Sequence, residues 1–307
     1  MTALFRPGIY CRGIAMGAAD VVPGVSGGTL ALITGIYEEL IATLGGVRPG
    51  LLTIWRRQGF AAFWRAGNFT FLFSLLAGIL TSIALLARLI TWFLEHHPVP
   101  VWAFFSGLIA ASIPMILKPL VRRGPSQWAA FLTGTLAAVA ISLAPGLHGA
   151  GTGPLVFFLG GAVAICAMIL PGISGSFILL LLGLYEPVLQ AVRDGQWSLL
   201  AAFAGGCAVG LLSFVHLLKW LLGRYHDTVM ALLGGFMAGS MVKLWPWRLG
   251  AESGLGERWL TPNQYAQTTG EGTQILIAVL AALLGMAVVW LLSLAAPVHN
   301  VAKETTD

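Results

Sequence analysis

The chain has 307 residues, of which 57% are hydrophobic and only 9% are charged, and its formal net charge is +5. Soluble domains carry about 25% charged residues, so this composition excludes an ordinary soluble enzyme or binding module. In so apolar a chain, the excess of basic residues is better explained by the loops of a membrane protein than by nucleic-acid binding. We predict an all-α polytopic membrane protein, because several apolar stretches exceed the roughly 18 to 20 residues that cross a bilayer.

The first half of the chain, residues 1–150, is predicted to contain one broken apolar segment and three spans. The broken segment covers residues 14–44 and carries Asp20 and Pro23 in its first part. A polar linker rich in arginine follows at residues 47–67. The three spans are predicted at residues 69–94, 99–117 and 127–144.

The second half, residues 151–307, is predicted to repeat this order. Its broken segment covers residues 155–192, with Pro171 near the middle. Its spans are predicted at residues 197–222, 228–244 and 273–296. The segment between the last two spans, residues 245–272, is long enough to have a fold of its own.

The repeat is clearest where the two apolar segments are broken. The string Asp20-Val-Val-Pro-Gly-Val-Ser-Gly-Gly28 returns as Met168-Ile-Leu-Pro-Gly-Ile-Ser-Gly-Ser176. Proline lacks a backbone donor and glycine accepts positive φ, so each copy should end a helix and leave backbone N–H groups unpaired. We call the copies tip 1 (residues 20–29) and tip 2 (residues 168–177). In a membrane, such backbone is tolerated only inside protein or beside a wet cavity.

Loop charges predict how the halves are oriented. Under the positive-inside rule, both termini, the arginine-rich linker and residues 118–123 lie in the cytoplasm, whereas residues 146–153 and 245–272 lie outside. Each half then makes three net crossings, which inverts the second half relative to the first. The predicted fold is therefore two inverted repeats, each a re-entrant or broken helix hairpin followed by three transmembrane helices.

Two tips that enter from opposite faces would gather N–H groups and hydroxyls near the midplane, where they suit a phosphate. A purely structural alternative is that these small residues only permit close helix packing. The candidate phosphate-binding residues at the tips are Gly24, Ser26, Gly27, Gly28, Thr29, Gly172, Ser174, Gly175 and Ser176.

Several ionisable residues are candidates for substrate contact, gating or coupling. Asp20 is a carboxylate in apolar sequence, which suggests gating, proton coupling or loop capping, with simple bracing of the hairpin as the alternative. Glu38 and Glu186 follow the tip serines by about twelve residues, or roughly 18 Å of helix, so solvation near an interface also explains them. Arg88 and His216 occupy corresponding places within spans, where Arg88 is a candidate phosphate ligand and His216 a gating residue. Snorkelling to the interface is their alternative explanation.

The motifs resemble those of a known bacterial family. The strings GAADVVPGVSGGT and LPGISGS, followed by GIYEEL and GLYEPVL, are similar to the polyprenyl-phosphate transporters of the PopT type, once called a domain of unknown function. The resemblance implies a flippase of the bacterial cytoplasmic membrane that returns undecaprenyl phosphate to the inner leaflet for cell-wall synthesis. Tip 2 departs from tip 1 by Met168 for Asp20, Ser176 for Gly28 and Phe177 for Thr29, so any role of Asp20 is not duplicated.

Two other functions are consistent with the tips. Pro-Gly-Ile-Ser also resembles a motif of membrane undecaprenyl-pyrophosphate phosphatases, although Gly27 and Gly175 stand where that family carries arginine. A transporter for a small inorganic anion would use the same tips without a lipid tail. We predict no catalytic residue, no nucleic-acid partner and no particular oligomeric state. No cofactor or metal is expected either, because the three cysteines lack CxxC spacing.

Overall fold

The computed structural model describes residues 5–22, 25–48, 50–120, 124–144, 146, 151, 153–249 and 258–295. Over these residues the chain forms fourteen α-helices, one 3-10 helix and a small antiparallel sheet of two strands. Five of the described helices are long and apolar enough to cross a membrane, or six if one bent pair is counted as a span. The prediction of an all-α polytopic membrane protein is confirmed at this level.

The first broken segment consists of three short helices. They are α1 (Pro7–Val21), α2 (Gly27–Ile33) and α3 (Tyr37–Leu44). The longest, α1, has 15 residues, or about 22 Å of helix, which is less than the roughly 30 Å of a hydrocarbon core. The chain leaves α1 at Val22 in an extended conformation, and it turns between α2 and α3 at Gly35, whose φ is +71°.

The arginine-rich segment expected to be a linker instead contains two helices, α4 (Gly50–Gln58) and α5 (Phe60–Ala66). Gly59, with φ of +84°, separates them. Their aromatic side chains contact one another and the next helix: the Phe63 ring lies 5.7 Å from Trp55 and 4.8 Å from Phe69. These aromatic contacts stabilise helices in a segment that charge alone identified as a loop.

Three long helices complete the first half. They are α6 (Phe69–His96), α7 (Pro98–Leu117) and α8 (Pro125–Leu143). Pro98 and Pro125 each occupy the first turn of their helix, where the missing N–H costs nothing.

The second broken segment has the same three-helix arrangement. Its helices are α9 (Pro154–Ile169), α10 (Gly175–Leu181) and α11 (Tyr185–Arg193). The axes of α10 and α11 are bent by 103°, and Gly183 between them has φ of +66°. The bend prevents the two short helices from forming a straight span.

One long helix, α12 (Trp197–Ser240), covers both of the next two predicted spans. Its 44 residues correspond to about 66 Å, roughly twice the thickness of a hydrocarbon core. The helix is broken at Tyr225, whose φ of −135° and ψ of 44° are not helical. The break falls between the segments 197–222 and 228–244 that the sequence analysis assigned to separate spans.

The chain then forms a small polar substructure before the last apolar helix. A 3-10 helix (Met241–Leu244) is followed by β1 (Arg248–Leu249), β2 (Arg258–Trp259), α13 (Pro262–Thr269) and α14 (Ile275–Ala295). Arg248 pairs with Trp259 and Leu249 with Arg258 in the two-stranded sheet.

The long helices pack in pairs through glycine. Helix α1 packs on α6, and α9 packs on the first part of α12. Across the halves, α7 packs on α14, and α8 packs on the second part of α12. In each pair a glycine Cα lies against the backbone of the partner helix, as Gly78, Gly206, Gly107 and Gly134 do. Such close backbone approach is the usual way in which membrane helices associate.

The short helix α2 belongs to the main hydrophobic core. All seven of its residues are buried. The core around it combines side chains of both halves, including Phe71 and Ile109 from the first half and Leu233 and Met237 from the second. The main core therefore joins α2 to long helices of both halves.

Candidate functional site

The two tips contact each other directly, although more than 130 residues separate them in the sequence. The Ser26 hydroxyl donates a hydrogen bond to the Met168 carbonyl at 3.2 Å. The Thr29 hydroxyl accepts a hydrogen bond from the Gly172 N–H at 2.9 Å. The two copies of the motif thus form one continuous structural unit.

Tip 1 supplies acceptors for two of its own backbone N–H groups, those of Gly27 and Gly28. Ser26 is the N-cap of α2, and its Oγ accepts the Gly28 N–H at 3.1 Å. The Gly27 N–H donates to Asp20 Oδ1 at 2.6 Å. We expected the N–H groups of Gly27, Gly28 and Gly172 to be unpaired, and this was wrong, because Asp20, Ser26 and Thr29 supply acceptors. Pro23 and Gly24 lie outside the described residues.

Close packing also requires several of the tip glycines. A Cβ on Gly27 would lie 2.6 Å from Asp20 Oδ2, and a Cβ on Gly28 would lie 2.8 Å from the Ile169 carbonyl oxygen. Gly172 has φ of +84°, and a Cβ there would lie 2.8 Å from the Phe236 carbonyl oxygen. These three glycines therefore permit close packing of the chain, as the structural alternative predicts.

Tip 2 is more open than tip 1. The Ser174 and Ser176 hydroxyls lie 2.8 Å apart, and Ser176 is exposed, whereas Ser26 and Thr29 are almost completely buried. Ser174 does not cap α10. Within the described part of the chain, the Gly175 and Ser176 N–H groups make no hydrogen bond. Tip 2 thus presents an exposed hydroxyl that a ligand could bind, whereas the hydroxyls of Ser26 and Thr29, in the described part of tip 1, are buried.

Two neighbours of the tips were not assigned a role from the sequence. The Tyr37 hydroxyl is buried and donates to the Ile169 carbonyl at 3.2 Å, which fixes α3 against tip 2. Lys243 Nζ lies 4.0 Å from the centre of the Phe177 ring. Tyr37 and Tyr185 stand at the same place in the strings GIYEEL and GLYEPVL, which was a usable signal. For Lys243 the only signal is a cation directly after an apolar segment.

The other candidate residues are not at the tips. Arg88 is exposed on α6, beside the exposed Leu85 and Leu89, so its position fits the snorkelling explanation. His216 Nδ1 lies 2.6 Å from the Leu212 carbonyl oxygen of its own helix. Glu186 is exposed in the first turn of α11.

Glu38 takes part in a contact between the halves. Its Oε1 lies 3.0 Å from His226 Nε2, immediately after the break in α12. Asp227 Oδ1 lies 3.4 Å from the other ring nitrogen of His226. The pair links α3 of the first half to the middle of α12 in the second, and both side chains are about half exposed.

An apolar cavity of about 380 Å³ lies away from the tips. It is formed where α7, α8 and α12 meet, with Leu117, Phe131 and Ala231 on its walls. Lys118 and Gln127 contribute its few polar groups. Neither tip contributes to this cavity.

Comparison with known proteins gives consistent matches. A family model described as undecaprenyl phosphate translocase-like (VCA0040-like) matches residues 16–257. The chain is 46% identical over 289 residues to a polyprenyl-phosphate transporter of Vibrio cholerae serotype O1, covering 91% of this chain and 94% of that protein. It is 32% identical over 253 residues to a polyprenyl-phosphate transporter of Staphylococcus aureus, covering 76% and 84% of the two chains. No solved structure matches the chain.

Proposed function

The chain belongs to the undecaprenyl phosphate translocase-like family, and on that premise we propose that it carries the phosphate head group of a polyprenyl phosphate across the membrane at its paired tips. It is a multi-pass membrane transporter and not an enzyme, because both curated relatives are transporters and the match to the first covers nearly the whole chain. The phosphatase alternative has no support from these relatives.

The observation that carries the proposal is the contact between tips from the two halves of the chain. A phosphate that entered bare hydrocarbon would lose its hydration at a large energetic cost. Hydroxyls and N–H groups at a protein-lined site replace part of that hydration. The exposed Ser176 and its neighbour Ser174 supply such groups at tip 2. The prenyl tail needs no such replacement and can remain in lipid.

The arrangement of helices supports an inverted repeat, which is part of the proposal. Gly78 and Gly107 of the first half correspond in the repeat to Gly206 and Gly235 of the second, each pair 128 residues apart. All four glycines lie against the backbone of a partner helix. Residues 1–150 and 151–307 would then form two equivalent units. Two similar units of opposite orientation allow inward and outward states of nearly equal energy, which exchange when one half rocks against the other.

The two tips differ, and we propose that this difference marks one state of the transport cycle. Tip 1 is closed by the Asp20 carboxylate and by Thr29. Tip 2 has an exposed hydroxyl. In the opposite state tip 1 would release its Asp20 contact and present Ser26, Gly27 and Gly28 to the head group. Protonation of Asp20 would weaken its bond to the Gly27 N–H, and this is where a proton gradient would act.

We propose that the protein lies in the bacterial cytoplasmic membrane, in the orientation that the loop charges favour. The termini and helices α4 and α5 would face the cytoplasm, and β1, β2 and α13 would face outside. Single cysteines at Arg57 and at Glu271, in a chain lacking its own three cysteines, check this by labelling of intact cells with an impermeant thiol reagent. Labelling at Glu271→Cys only is expected, and labelling at Arg57→Cys only would reverse the orientation.

Reconstitution tests the proposed function. Proteoliposomes would receive labelled undecaprenyl phosphate in one leaflet, and its appearance in the other would be followed over time. We expect translocation well above that of protein-free liposomes, without release of phosphate from undecaprenyl pyrophosphate and without flux of inorganic phosphate. Translocation at the protein-free rate would refute the proposal, and hydrolysis or anion flux would favour one of the alternatives.

A further inference from the structure

We propose that helices α4 and α5 form an amphipathic pair that lies in the surface of the membrane and binds its anionic phospholipids. The pair has no counterpart in the second half of the chain, where only three residues separate α11 from α12. The inference concerns the phospholipids of the bilayer, so it holds whatever substrate the protein transports.

The pair exposes large apolar side chains that the rest of the protein does not cover. In α4 only Leu51 is buried, and α5 has no buried residue. Leu52 and Trp55 of α4 are 47% and 49% exposed, and Phe60 of α5 is 57% exposed. Apolar side chains at the periphery of a membrane protein are expected to contact lipid rather than water.

Helix α4 has one apolar side and one polar side. Leu52 and Trp55 are three residues apart and therefore share a side of the helix, whereas Thr53 and Arg57 point to the opposite side. Arg56 lies at the edge between the two sides. A helix divided in this way lies in the plane of the membrane surface, with its apolar side toward the acyl chains and its polar side toward water.

The charges of the pair and its flanking residues are all positive. Residues 47–67 contain no acidic residue and four arginines, Arg48, Arg56, Arg57 and Arg65. The first three are exposed, and within the described part of the chain they make no hydrogen bond or ion pair. Because each basic residue near an anionic membrane surface strengthens binding roughly fivefold, a surface of anionic phospholipids is the partner that these charges fit.

A depression on α4 combines the two kinds of group that a phospholipid needs. Its volume is about 330 Å³, and it is lined by Leu52, Trp55 and Arg56. The two apolar side chains suit the first methylene groups of an acyl chain, and the guanidinium suits the phosphate oxygens. A zwitterionic phospholipid also has a phosphate, but its cationic head group opposes the attraction to arginine. The depression therefore favours a phospholipid with a net negative charge.

The pair is tied to the first broken segment. The Asn68 side chain, just after α5, donates to Glu39 at 3.1 Å and to Thr43 at 2.9 Å, both on α3. The Trp64 indole of α5 donates to the Thr70 hydroxyl of α6 at 2.9 Å. Binding of the pair to the membrane surface would therefore hold α3 and α6 at a fixed depth.

The depth of two neighbouring positions on α4 tests this arrangement. Nitroxide labels would be attached at Leu52→Cys or Thr53→Cys, in a chain lacking its own three cysteines, in nanodiscs of phosphatidylcholine with or without phosphatidylglycerol. Collisions with oxygen, which enters the bilayer, and with a water-soluble nickel chelate would be measured by electron paramagnetic resonance. With phosphatidylglycerol, we expect the Leu52 label to collide mainly with oxygen and the Thr53 label mainly with the chelate.

Other occupants of this surface would give different collisions. A Leu52 label that collides mainly with the chelate would show a water-facing surface, as a soluble partner requires, and a label that reaches neither reagent would show a protein contact such as a second copy of the chain. Either result would overturn the proposal. The same depth with and without phosphatidylglycerol would overturn the preference for anionic lipid.

The arginines are tested by titration with a soluble, short-chain phosphatidylglycerol in neutral detergent, followed by a fluorophore at Thr53→Cys. We expect Arg56→Gln/Arg57→Gln to weaken binding about tenfold, since loss of a charged hydrogen bond is worth about that factor. The control, Arg193→Gln/Arg258→Gln, removes two exposed arginines elsewhere and should leave the affinity unchanged. Equal losses in the two double variants would overturn the role of the pair.

Two further titrations need no change of the arginines, so they remain informative if the glutamine variant inserts poorly. Rising salt should weaken the binding of phosphatidylglycerol, because salt screens exposed charges, and an affinity independent of salt would overturn the proposal. Phosphatidylcholine of the same chain length should bind more weakly. Binding of undecaprenyl phosphate without binding of phosphatidylglycerol would assign the surface to the transported lipid and would also overturn the proposal.

Discussion

At the residue scale, one buried hydrogen bond between Thr29 and Gly172 connects the two tips. Thr29 is completely buried, and its hydroxyl accepts the Gly172 N–H at 2.9 Å. If the Thr29 hydroxyl were lost, a water molecule could accept the Gly172 N–H only if a cavity large enough to hold it were present. A second contact, from the Gly27 N–H to Asp20, closes tip 1 on itself. The stability of the tips therefore depends on a few polar side chains within an apolar core.

Replacement of Thr29 by valine should destabilise the protein. The two side chains have nearly the same shape, but valine leaves the Gly172 N–H buried without an acceptor, which costs about 1 to 3 kcal/mol. Thr34→Val is a matched control, because the Thr34 hydroxyl is also buried but only donates, to the Leu30 and Ala31 carbonyls of the preceding turn. Thermal unfolding in detergent should show a clearly lower midpoint for Thr29→Val than for Thr34→Val. Equal midpoints would mean that the bond between the tips contributes nothing.

Asp20 should respond differently to asparagine and to alanine. Asparagine keeps an acceptor oxygen for the Gly27 N–H but cannot be protonated, whereas alanine removes the acceptor. We expect Asp20→Asn to translocate lipid at a rate that no longer depends on a pH gradient, and Asp20→Ala to be less stable as well. The measurement is translocation with and without a gradient. A wild-type response to the gradient in Asp20→Asn would exclude Asp20 from coupling.

At the scale of elements, glycine determines how the long helices pair. Gly205 and Gly206 are neighbours in the first part of α12, and only Gly206 faces α9, where an added Cβ would meet the Phe158 backbone. An added Cβ on Gly205 would make only ordinary contacts, with the Phe158 ring at 3.8 Å. The spacing of small residues along a helix thus decides which neighbour it accepts.

Alanine at these two positions should have opposite effects. Both changes replace glycine in a helix interior, which by propensity alone favours the helix by roughly 1 kcal/mol. Gly205→Ala should therefore keep or raise the midpoint of thermal unfolding. Gly206→Ala should lower it, because α9 must move away. If both variants unfold at the same temperature, the close contact between α9 and α12 is not required.

The sequence predicted some of these elements well and others poorly, for physical reasons. Hydropathy detects long apolar helices such as α6 and α14, because each must match the bilayer by itself. Hydropathy did not predict helices α4 and α5, because these helices depend on aromatic contacts such as that between Trp55 and Phe63. The repeat located the tips but not their hydrogen bonds. The acceptor of the Gly172 N–H is Thr29, more than 140 residues away, and only the folded chain brings the two together.

At the scale of the whole molecule, the two halves pack through α7 with α14 and α8 with α12, and polar contacts also join them at the tips and at the Glu38–His226 pair. The polar contact at the tips is buried, and the Glu38–His226 pair is about half exposed. Rocking of one half against the other must change some of these contacts. Because the exposed pair links α3 to the break in α12, it is the natural place for the halves to separate when tip 1 opens.

Locking the halves together at the Glu38–His226 contact tests transport by their relative movement most directly. Cysteines would replace Glu38 and His226 in a chain lacking the other three cysteines, and a short reducible cross-linker would join them in proteoliposomes containing labelled undecaprenyl phosphate. The control joins cysteines at Glu271 and Gln274, whose side chains lie 2.6 Å apart in the connection between α13 and α14. We expect translocation to stop on cross-linking of the first pair, to return on reduction, and to continue in the control. Undiminished translocation with the Glu38–His226 pair fully cross-linked would contradict the mechanism.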